Sequence, residues 1–471
     1  MISTLKLHKL LNEDRISELP DPILTEILSF IPTKSAVKTA LLSKRWKTPY
    51  LSLPNLDFVD DKWYLDDIFN EVSRHKINFM NLVDRVLRLR GDNIDIDRFS
   101  LNCIGNYDTG RVDGWIRIVV GHNVKEINLS FKFKKLYELG QDVYMCASVK
   151  ILRLSCKILV DVPENVGFSR LKVLEFICVT FSSFESVERL LLNCPLLEDL
   201  VIESCKWISG CCLCICGSML KNLTLDSPIS LVHVEKVEPK ILIDTPALQT
   251  LKIEEFISED ISIKEQLRFL TIASIDIALK LEWYMQSRAY GDMVFGLLNK
   301  IYHVKYLTLS ENTLGALDCA SYDGFPTFHN LTMLELHFDT SSCWTLLPYM
   351  LSKSPNLRSL VFPNGLAGMF STTSSFLWNP PKLVPECLSS HLKTIEIKEF
   401  LEAQKLASSI LYFKKITKYD EMYPESIFRK VFNSSEAANS IPCPPLILAL
   451  PDIIAMVLMN LDFGRTVGAI R

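Results

Sequence analysis

The feature that most constrains the fold of this chain is a short apolar motif that recurs along most of its length. The motif is L-x-x-L-x-L with conservative exchanges, and its fourth position falls on residues 127, 152, 174, 200, 223, 251, 270, 307, 334, 360 and 395. Successive copies are separated by 25, 22, 26, 23, 28, 19, 37, 27, 26 and 35 residues. Most intervals lie in or near the period of about 20–29 residues that is typical of stacked strand-containing repeats. The two longest intervals imply insertions or an unrecognised copy.

Each copy predicts a short strand whose alternate side chains point inward. One strand cannot bury its apolar side, whereas a stack of strands forms a continuous core and a curved parallel sheet. The segments between copies carry helical patterns at residues 187–192 and 344–351. The recurrent Pro-x-Leu-x-x-Leu sequence at Pro195, Pro246 and Pro355 predicts a chain break before a strand. The sequence therefore predicts an α/β leucine-rich-repeat solenoid with a curved parallel sheet.

The side chains that alternate with the apolar positions are expected to line the concave face of this sheet. As a set they form a mixed polar and apolar surface, which suits a protein partner better than a small molecule. The predicted target-binding residues are Arg153, Glu175, Asp199, Val201, Glu203, Thr224, Lys252, Glu254, Tyr306, Glu335 and His337, and Asn222 and Thr308 are expected on the same face. For any one of them, the alternative is an ordinary solvated surface residue.

The N-terminal segment 19–46 predicts three short helices. Asp21 is expected to cap the first, with Pro22 at its first position, and Thr33 and Ser43 are expected to cap the other two. The first helix carries one apolar stripe, composed of Ile23, Leu24, Ile27, Leu28 and Ile31. A module this small has too little core to be stable alone. Its apolar faces therefore need another part of the chain, a partner protein, or both.

The segment from Leu19-Pro20 to Ser43-Lys-Arg-Trp46 closely resembles a plant F-box. In that family the F-box binds the Skp-type adaptor of a cullin-based (SCF) ubiquitin ligase. The resemblance implies that ten residues lie at or beside the adaptor contact, namely Leu19, Pro20, Ile23, Leu24, Ile27, Leu28, Val37, Leu41, Ser43 and Trp46.

The resemblance extends beyond the F-box. Residues 83–87 and 112–116 resemble the linker and first repeats of plant F-box/LRR proteins, and residues 378–400 resemble the opening of an FBD domain. The closing strand expected of an FBD after residue 415 is not recognisable. The expected organisation is an F-box at 14–55, a linker and first repeat at 56–110, leucine-rich repeats at 111–365, an incomplete FBD-like unit at 376–420 and an atypical tail at 421–471.

The tail contains a second similarity. Residues 450–461 resemble residues 19–31 with one residue missing, so that Ile453, Val457 and Leu461 match Ile23, Ile27 and Ile31 in the first helix. One hypothesis is the start of a truncated second F-box, and the other is a generic amphipathic helix.

Composition limits the classes of partner. The 471 residues carry a net charge of −4, which argues against nucleic acid as the main partner. Prolines interrupt the most apolar stretch, residues 441–461, so no membrane-spanning helix and no membrane partner are expected. The first 15 residues lack the apolar core of a signal peptide. Fourteen cysteines then predict reduced thiols in a cytoplasmic or nuclear protein.

No catalytic or cofactor motif is found. The sequence lacks a Gly-rich phosphate loop, a His-Glu-x-x-His motif and a Gly-x-Ser-x-Gly elbow. A cysteine cluster includes Cys211-x-x-Cys214, which is half of a tetrahedral zinc site, but a second pair at suitable spacing is missing. We expect the cluster to lie in a loop between repeat strands and to hold free thiols, and we expect no metal and no cofactor.

The predicted function is that of a non-catalytic substrate-recognition subunit of an SCF ubiquitin ligase. Its partners would be a Skp-type adaptor, a cullin reached through that adaptor, and a target protein that the sequence does not identify. The alternative is a leucine-rich-repeat interaction scaffold without a role in degradation. An enzyme with unrecognised catalytic residues is a remote third hypothesis.

Overall fold

The structure is a computed structural model that describes residues 16–60, 69–105, 107–209, 212–226, 240–254, 260–277, 288–320, 324–337, 346–364, 385–397 and 446–448. Most of the predicted FBD-like unit and of the tail, including residues 450–461, lies outside these ranges. The chain divides into two compact units, residues 1–245 and residues 246–471.

The first unit begins with helices and continues as a series of strands. Its elements in chain order are α1 (Asp21–Ser29), α2 (Thr33–Lys38), three 3-10 helices (Thr39–Leu41, Lys44–Lys47 and Pro49–Ser52), β1 (Asn55–Val59), α3 (Phe69–Leu89), β2 (Arg98–Ile104), α4 (Thr109–Gly121), β3 (Glu126–Lys132), β4 (Tyr137–Glu138), α5 (Gln141–Tyr144), β5 (Ile151–Cys156), β6 (Ile158–Val160), β7 (Val173–Ile177), β8 (Thr180–Phe181), α6 (Phe184–Leu192), β9 (Asp199–Glu203), β10 (Lys206–Trp207), β11 (Cys212–Cys216), β12 (Asn222–Asp226) and β13 (Lys240–Asp244).

The main sheet of this unit is parallel and has the strand order β1-β2-β3-β5-β7-β9-β12. Its register aligns the fourth positions of successive motifs, and all of these side chains are buried. This row consists of Leu56, Phe99, Ile127, Leu152, Leu174, Leu200 and Leu223. The predicted repeat is therefore confirmed as one strand per copy.

Two repeats precede the series found from the sequence. β1 and β2 pair in parallel and continue the register into β3. Their sequences, Leu53-x-x-Leu56-x-Phe58 and Ile96-x-x-Phe99-x-Leu101, match the motif once phenylalanine is accepted at its apolar positions. The expected organisation places one repeat within residues 56–110, but the motif series found from the sequence includes neither of these copies.

Shorter strands and helices lie between the strands of the main sheet. β10, β8, β6 and β4 form a small sheet of their own, and β11 pairs in parallel with β13. The helix predicted at residues 187–192 is confirmed as α6, whose first turn is capped where Ser183 Oγ accepts a hydrogen bond from Ser186 N at 3.1 Å. The predicted break at Pro195 forms a turn before β9.

The second unit repeats the same plan. Its elements in chain order are β14 (Thr250–Glu254), β15 (Asp260–Ile263), β16 (Ile272–Ile275), α7 (Arg288–Ile301), β17 (Tyr306–Leu309), α8 (Glu311–Asp318), β18 (Met333–Leu336), α9 (Leu346–Ser352), β19 (Ser359–Phe362), α10 (Glu386–Ser390), β20 (Thr394–Ile397) and β21 (Leu446–Leu448). The strands β14, β16, β17, β18, β19 and β20 pair in parallel. β21 pairs with β20 in the antiparallel sense.

One predicted copy was placed in the wrong frame. The sequence assigned the fourth position of that copy to Leu270, but the register pairs Ala273 with Leu251 on one side and with Leu307 on the other. Leu270 is therefore the first position of its motif, and the buried Ala273 is the fourth. The sequence assignment was three residues too early because Leu267 and Leu270 have the same spacing as the first and fourth positions of the motif.

Candidate functional site

The N-terminal helices form with different caps from those predicted. The first helix starts at Asp21 and is preceded by Pro20, and the Asp21 carboxylate forms an ion pair with Arg45 instead of capping. Thr33 is the first residue of α2, which Pro32 precedes, and its Oγ1 accepts a hydrogen bond of 2.8 Å from Asp57 N. The predicted cap at Ser43 is confirmed, because its Oγ accepts a hydrogen bond of 3.3 Å from Arg45 N.

The apolar stripe of α1 is divided between the interior and the solvent. Leu24 and Leu28 are 0% and 2% exposed, respectively. On the same helix Ile23 and Ile27 are 46% and 41% exposed. The helix therefore fixes itself to the first unit with one pair of side chains and presents the other pair outward. Exposed clusters of large aliphatic side chains on a soluble protein are typical of interaction surfaces.

The ten predicted adaptor-contact residues fall into three classes. Pro20, Ile23, Ile27, Leu41 and Ser43 are exposed, and Leu19 and Val37 are partly exposed. Leu24, Leu28 and Trp46 are buried in this chain, so they lie beneath the exposed members of the set. Trp46 also donates a hydrogen bond of 2.8 Å from Nε1 to Ser17 Oγ. This bond joins the 3-10 helix Lys44–Lys47 to the segment that precedes α1.

Three exposed apolar residues were missed by the sequence reasoning. Phe30, Leu42 and Ile16 are 81%, 71% and 55% exposed. Phe30 directly follows α1, and Leu42 directly follows Leu41, which is 87% exposed. The positions of Phe30 and Leu42 could be predicted, because large apolar residues precede the two helix boundaries at Pro32 and Ser43. The contacts implied by the family resemblance do not include Phe30 or Leu42. We call the exposed apolar residues Ile16, Ile23, Ile27, Phe30, Ile31, Leu41 and Leu42 the N-terminal apolar surface.

The second candidate site is the accessible side of the main sheet. In the first unit, the register places Arg153, Glu175, Val201 and Thr224 in one row across β5, β7, β9 and β12. Arg153 donates to Glu126 Oε1 at 2.7 Å and to Glu175 Oε2 at 2.8 Å. These two ion pairs hold the Arg153 guanidinium between strands β3 and β7 on the accessible side of the sheet.

The flanking rows of the first unit carry the other predicted residues. Asp199 and Asn222 are register partners and are joined by a hydrogen bond from the Asn222 amide. Glu203 pairs in register with Ile177 on the opposite flank. All three predicted polar residues are accessible to solvent, as the alternation within each strand predicts.

In the second unit, one row of register partners crosses β14, β16, β17 and β18. It consists of Lys252, Ser274, Thr308 and Glu335. Lys252 forms an ion pair of 2.8 Å with Glu254, and His337 Nε2 lies 3.1 Å from Glu335 Oε1. The remaining predicted residue, Tyr306, is exposed on a neighbouring row.

Comparison with known proteins assigns the family. The F-box domain model matches residues 16–48, the model of the LRR repeats of FBD-associated F-box protein At5g56370 matches residues 112–295, and the FBD model matches residues 379–408. F-box/LRR-repeat protein At4g14103 of Arabidopsis thaliana is 35% identical over 361 residues, which cover 74% of this chain and 92% of that protein. The chain belongs to the plant F-box/LRR-repeat family.

Further relatives support this assignment. F-box/LRR-repeat protein At4g14096 of Arabidopsis thaliana is 31% identical over 85% of this chain and 85% of its own length. Putative F-box/FBD/LRR-repeat protein At3g59240 of the same plant is 31% identical over 83% of this chain and 77% of its own length. The F-box and LRR domains support a substrate-adaptor role in an SCF ubiquitin ligase, and proteins of this family are typically non-catalytic.

Three cysteines of the cluster of this F-box/LRR-repeat protein lie on a strand and not in the predicted loop. Cys212, Cys214 and Cys216 lie on β11, and Cys214 N donates a hydrogen bond of 2.6 Å to Glu188 Oε1. Burial raises the pKa of the Cys214 thiol to about 11 and also raises the pKa of Cys216, so both are protonated at neutral pH. Within the described ranges, no group of His, Cys, Asp and Glu side chains is arranged to hold a metal ion. Cys211 lies outside these ranges.

Among the helices that the structure describes, none has both the length and the apolar character needed to cross a membrane.

Proposed function

We propose that this chain docks through its N-terminal apolar surface onto a Skp-type adaptor, and through it onto a cullin, while the accessible face of its repeat sheet holds a target protein for ubiquitination. The chain contributes proximity: it would hold the target where a ubiquitin-conjugating enzyme reaches the target's lysines. The bond-making chemistry would belong to other subunits.

The observation that carries the proposal is the division of α1 into a buried and an exposed apolar side. Leu24 and Leu28 anchor the helix, so Ile23 and Ile27 are held outward in a fixed orientation. Burying one large aliphatic side chain completely contributes about 1.5–3 kcal/mol. Several such side chains on one surface supply a strong contact after the cost of association has been met.

Co-purification tests the adaptor contact. The full chain is expressed with a Skp-type adaptor and a cullin, and the retained subunits are quantified. We expect the double variant Leu19→Ala with Pro20→Ala, which alters the entry to α1, to lose the adaptor, and we expect Ile23→Glu with Ile27→Glu to lose it as well. The matched control is Leu192→Glu, which alters an exposed leucine at the end of α6.

The outcomes separate the alternatives. Adaptor retention by both double variants would contradict the proposed docking surface. Adaptor binding without cullin, or with cullin but without ubiquitination of any protein bound to the repeats, would favour the scaffold without a degradation role. Circular dichroism of each variant shows whether the repeats remain folded.

A further inference from the structure

The accessible face over β5, β7, β9 and β12 combines acidic and aliphatic side chains. The register arranges twelve side chains in three rows, and all of them are at least partly accessible to solvent. The rows are Ile151, Val173, Asp199 and Asn222; Arg153, Glu175, Val201 and Thr224; and Ser155, Ile177, Glu203 and Asp226. We call this set the acidic-aliphatic face.

The charge on this face is unbalanced. The twelve positions include one arginine and four carboxylates, which give a formal net charge of −3. The arginine is already occupied, because Arg153 pairs with Glu126 and Glu175. In the part of the chain that the structure describes, neither Asp199 nor Glu203 forms an ion pair with a lysine or arginine. The face therefore offers carboxylates to a cation and no free cation to an acid.

The aliphatic residues are interspersed with these carboxylates. Ile177 is the register partner of Glu203, and Val201 lies between Asp199 and Glu203 on the same face of β9. Residues two apart on a strand are separated by about 6.6 Å, and neighbouring strands by about 4.8 Å. One extended or helical segment laid across the strands would meet both kinds of side chain within a few residues.

On the basis of the proposed function, we propose that the target segment held by this unit is basic, with lysine or arginine side chains flanked by aliphatic ones. The long stem of a lysine or arginine packs against Val201 and Ile177, while its charged end reaches Asp199 or Glu203. An acidic segment would be repelled by the carboxylates of Asp199 and Glu203, which carry charges of the same sign. Complementary charge also accelerates encounter and excludes wrong partners, in a manner that salt weakens.

A randomised peptide library tests the proposal. The full chain, co-purified with its Skp-type adaptor and immobilised, is incubated with the library at low salt, and the retained peptides are sequenced. We expect retained peptides to be enriched in lysine and arginine next to aliphatic residues. Raising the salt concentration should reduce that enrichment. Enrichment in aspartate and glutamate, or no charge bias, would overturn the proposal.

Variants locate the effect. Glu203→Lys should abolish the basic preference, and Glu203→Gln, which keeps the shape of the side chain, should weaken binding of an enriched peptide about threefold, as for one exposed ion pair. The matched control Glu164→Lys changes an exposed glutamate outside the sheet strands and should leave the preference unchanged. An equal effect of Glu203→Lys and Glu164→Lys would show a general charge effect and overturn the proposal.

Adaptor retention is measured on the same samples. If the unaltered chain binds the adaptor but shows no preference for basic peptides, this inference alone is contradicted. Failure of the adaptor to bind the unaltered chain contradicts the proposed function, and the peptide preference is then judged independently of it.

Discussion

The guanidinium of Arg90 donates a hydrogen bond of 2.7 Å from Nη1 to the backbone carbonyl of Leu53. The same side chain also reaches the carbonyls of Leu51 at 3.2 Å, Ile94 at 3.1 Å and Asp95 at 2.5 Å. Arg90 follows α3, Leu51 and Leu53 close the N-terminal helices, and Ile94 and Asp95 lead into β2. One buried cation therefore fastens the N-terminal apolar surface to the first repeats.

This arrangement predicts a large effect of Arg90→Met. Burial lowers the pKa of Arg90 to about 10, while Asp95 and Asp97 oppose the shift, so the side chain is charged at neutral pH. Methionine would remove the donor from the buried Leu53 carbonyl and from three partly buried carbonyls, and we expect the free energy of unfolding to fall by about 3 kcal/mol or more. Urea denaturation measures it. The control Arg85→Met, at an exposed position of α3, should change stability by less than about 0.5 kcal/mol. Equal losses in the two variants would contradict the fastening role.

The buried and exposed sides of α1 predict that two similar substitutions affect different properties, one the stability of the fold and the other adaptor binding. Leu24→Ala removes a fully buried side chain and should lower the free energy of unfolding by about 2–5 kcal/mol. Ile27→Ala removes a partly exposed side chain and should have a small effect on stability, but it should weaken adaptor binding about fivefold through the lost apolar contact. Urea denaturation and a binding titration with the adaptor distinguish the two effects. If Ile27→Ala matched Leu24→Ala in stability loss, α1 would not be divided as described.

The buried rows of the sheet could be predicted because they depend only on local alternation. A strand has a side-chain period of two, so a repeated L-x-x-L-x-L motif places the same positions inward in every copy. The frame of a single copy is less certain from sequence when a small residue occupies the fourth position. Ala273 carries little apolar signal, and the leucines just before it imitate the motif.

The cap errors arose because contacts distant in sequence prevailed over local preferences. Asp21 has a side chain suited to capping, but Arg45, which is 24 residues away, attracts its carboxylate. The Thr33 side chain accepts a hydrogen bond from Asp57 N, which belongs to the first repeat strand.

The strand ends have a further feature that the sequence did not predict. Cys156, Cys178 and Ser204 adopt left-handed backbone angles, with φ of 71°, 57° and 54°, at equivalent ends of three successive strands. Such angles usually favour glycine, so residue type alone did not indicate them.

A half-buried carboxylate between α3 and α4, that of Asp84, predicts pH-dependent stability. Burial raises the pKa of Asp84, but hydrogen bonds from Trp115 and Arg111 and the charge of Arg111 lower it further, so the pKa is below its usual value of 3.8. Trp115 Nε1 donates to Asp84 Oδ1 at 2.6 Å. Because the folded-state pKa is lowered, this stabilisation is present above the usual pKa and is lost as the pH falls through the folded value.

We therefore expect Asp84→Asn to lower the free energy of unfolding at neutral pH by about 1–3 kcal/mol and to flatten its decline in acid. Urea denaturation at a series of pH values from neutral to strongly acidic measures both effects. Asp92→Asn, at an exposed position in the turn after α3, is the control and should preserve the slope. An unchanged acid slope in Asp84→Asn would show that other carboxylates account for the decline.

Two glycines on α7 predict stability changes of opposite sign. A Cβ atom at Gly291 would lie 2.6 Å from the carbonyl oxygen of Ala316 on α8 and 2.8 Å from Ala320 Cβ. The obstacle is largely backbone, so Gly291→Ala would force α7 and α8 apart, and we expect a loss of about 1–3 kcal/mol. A Cβ at Gly296, on the same helix, meets no atom within 4 Å, so Gly296→Ala should gain about 0.5–1 kcal/mol by reducing the freedom of the unfolded chain. Unfolding of a chain with two units need not be a single transition, so the local stability of α7 is measured by its amide hydrogen exchange. Exchange should become faster in Gly291→Ala and slower in Gly296→Ala. Slower exchange in Gly291→Ala would contradict the close approach of these two helices.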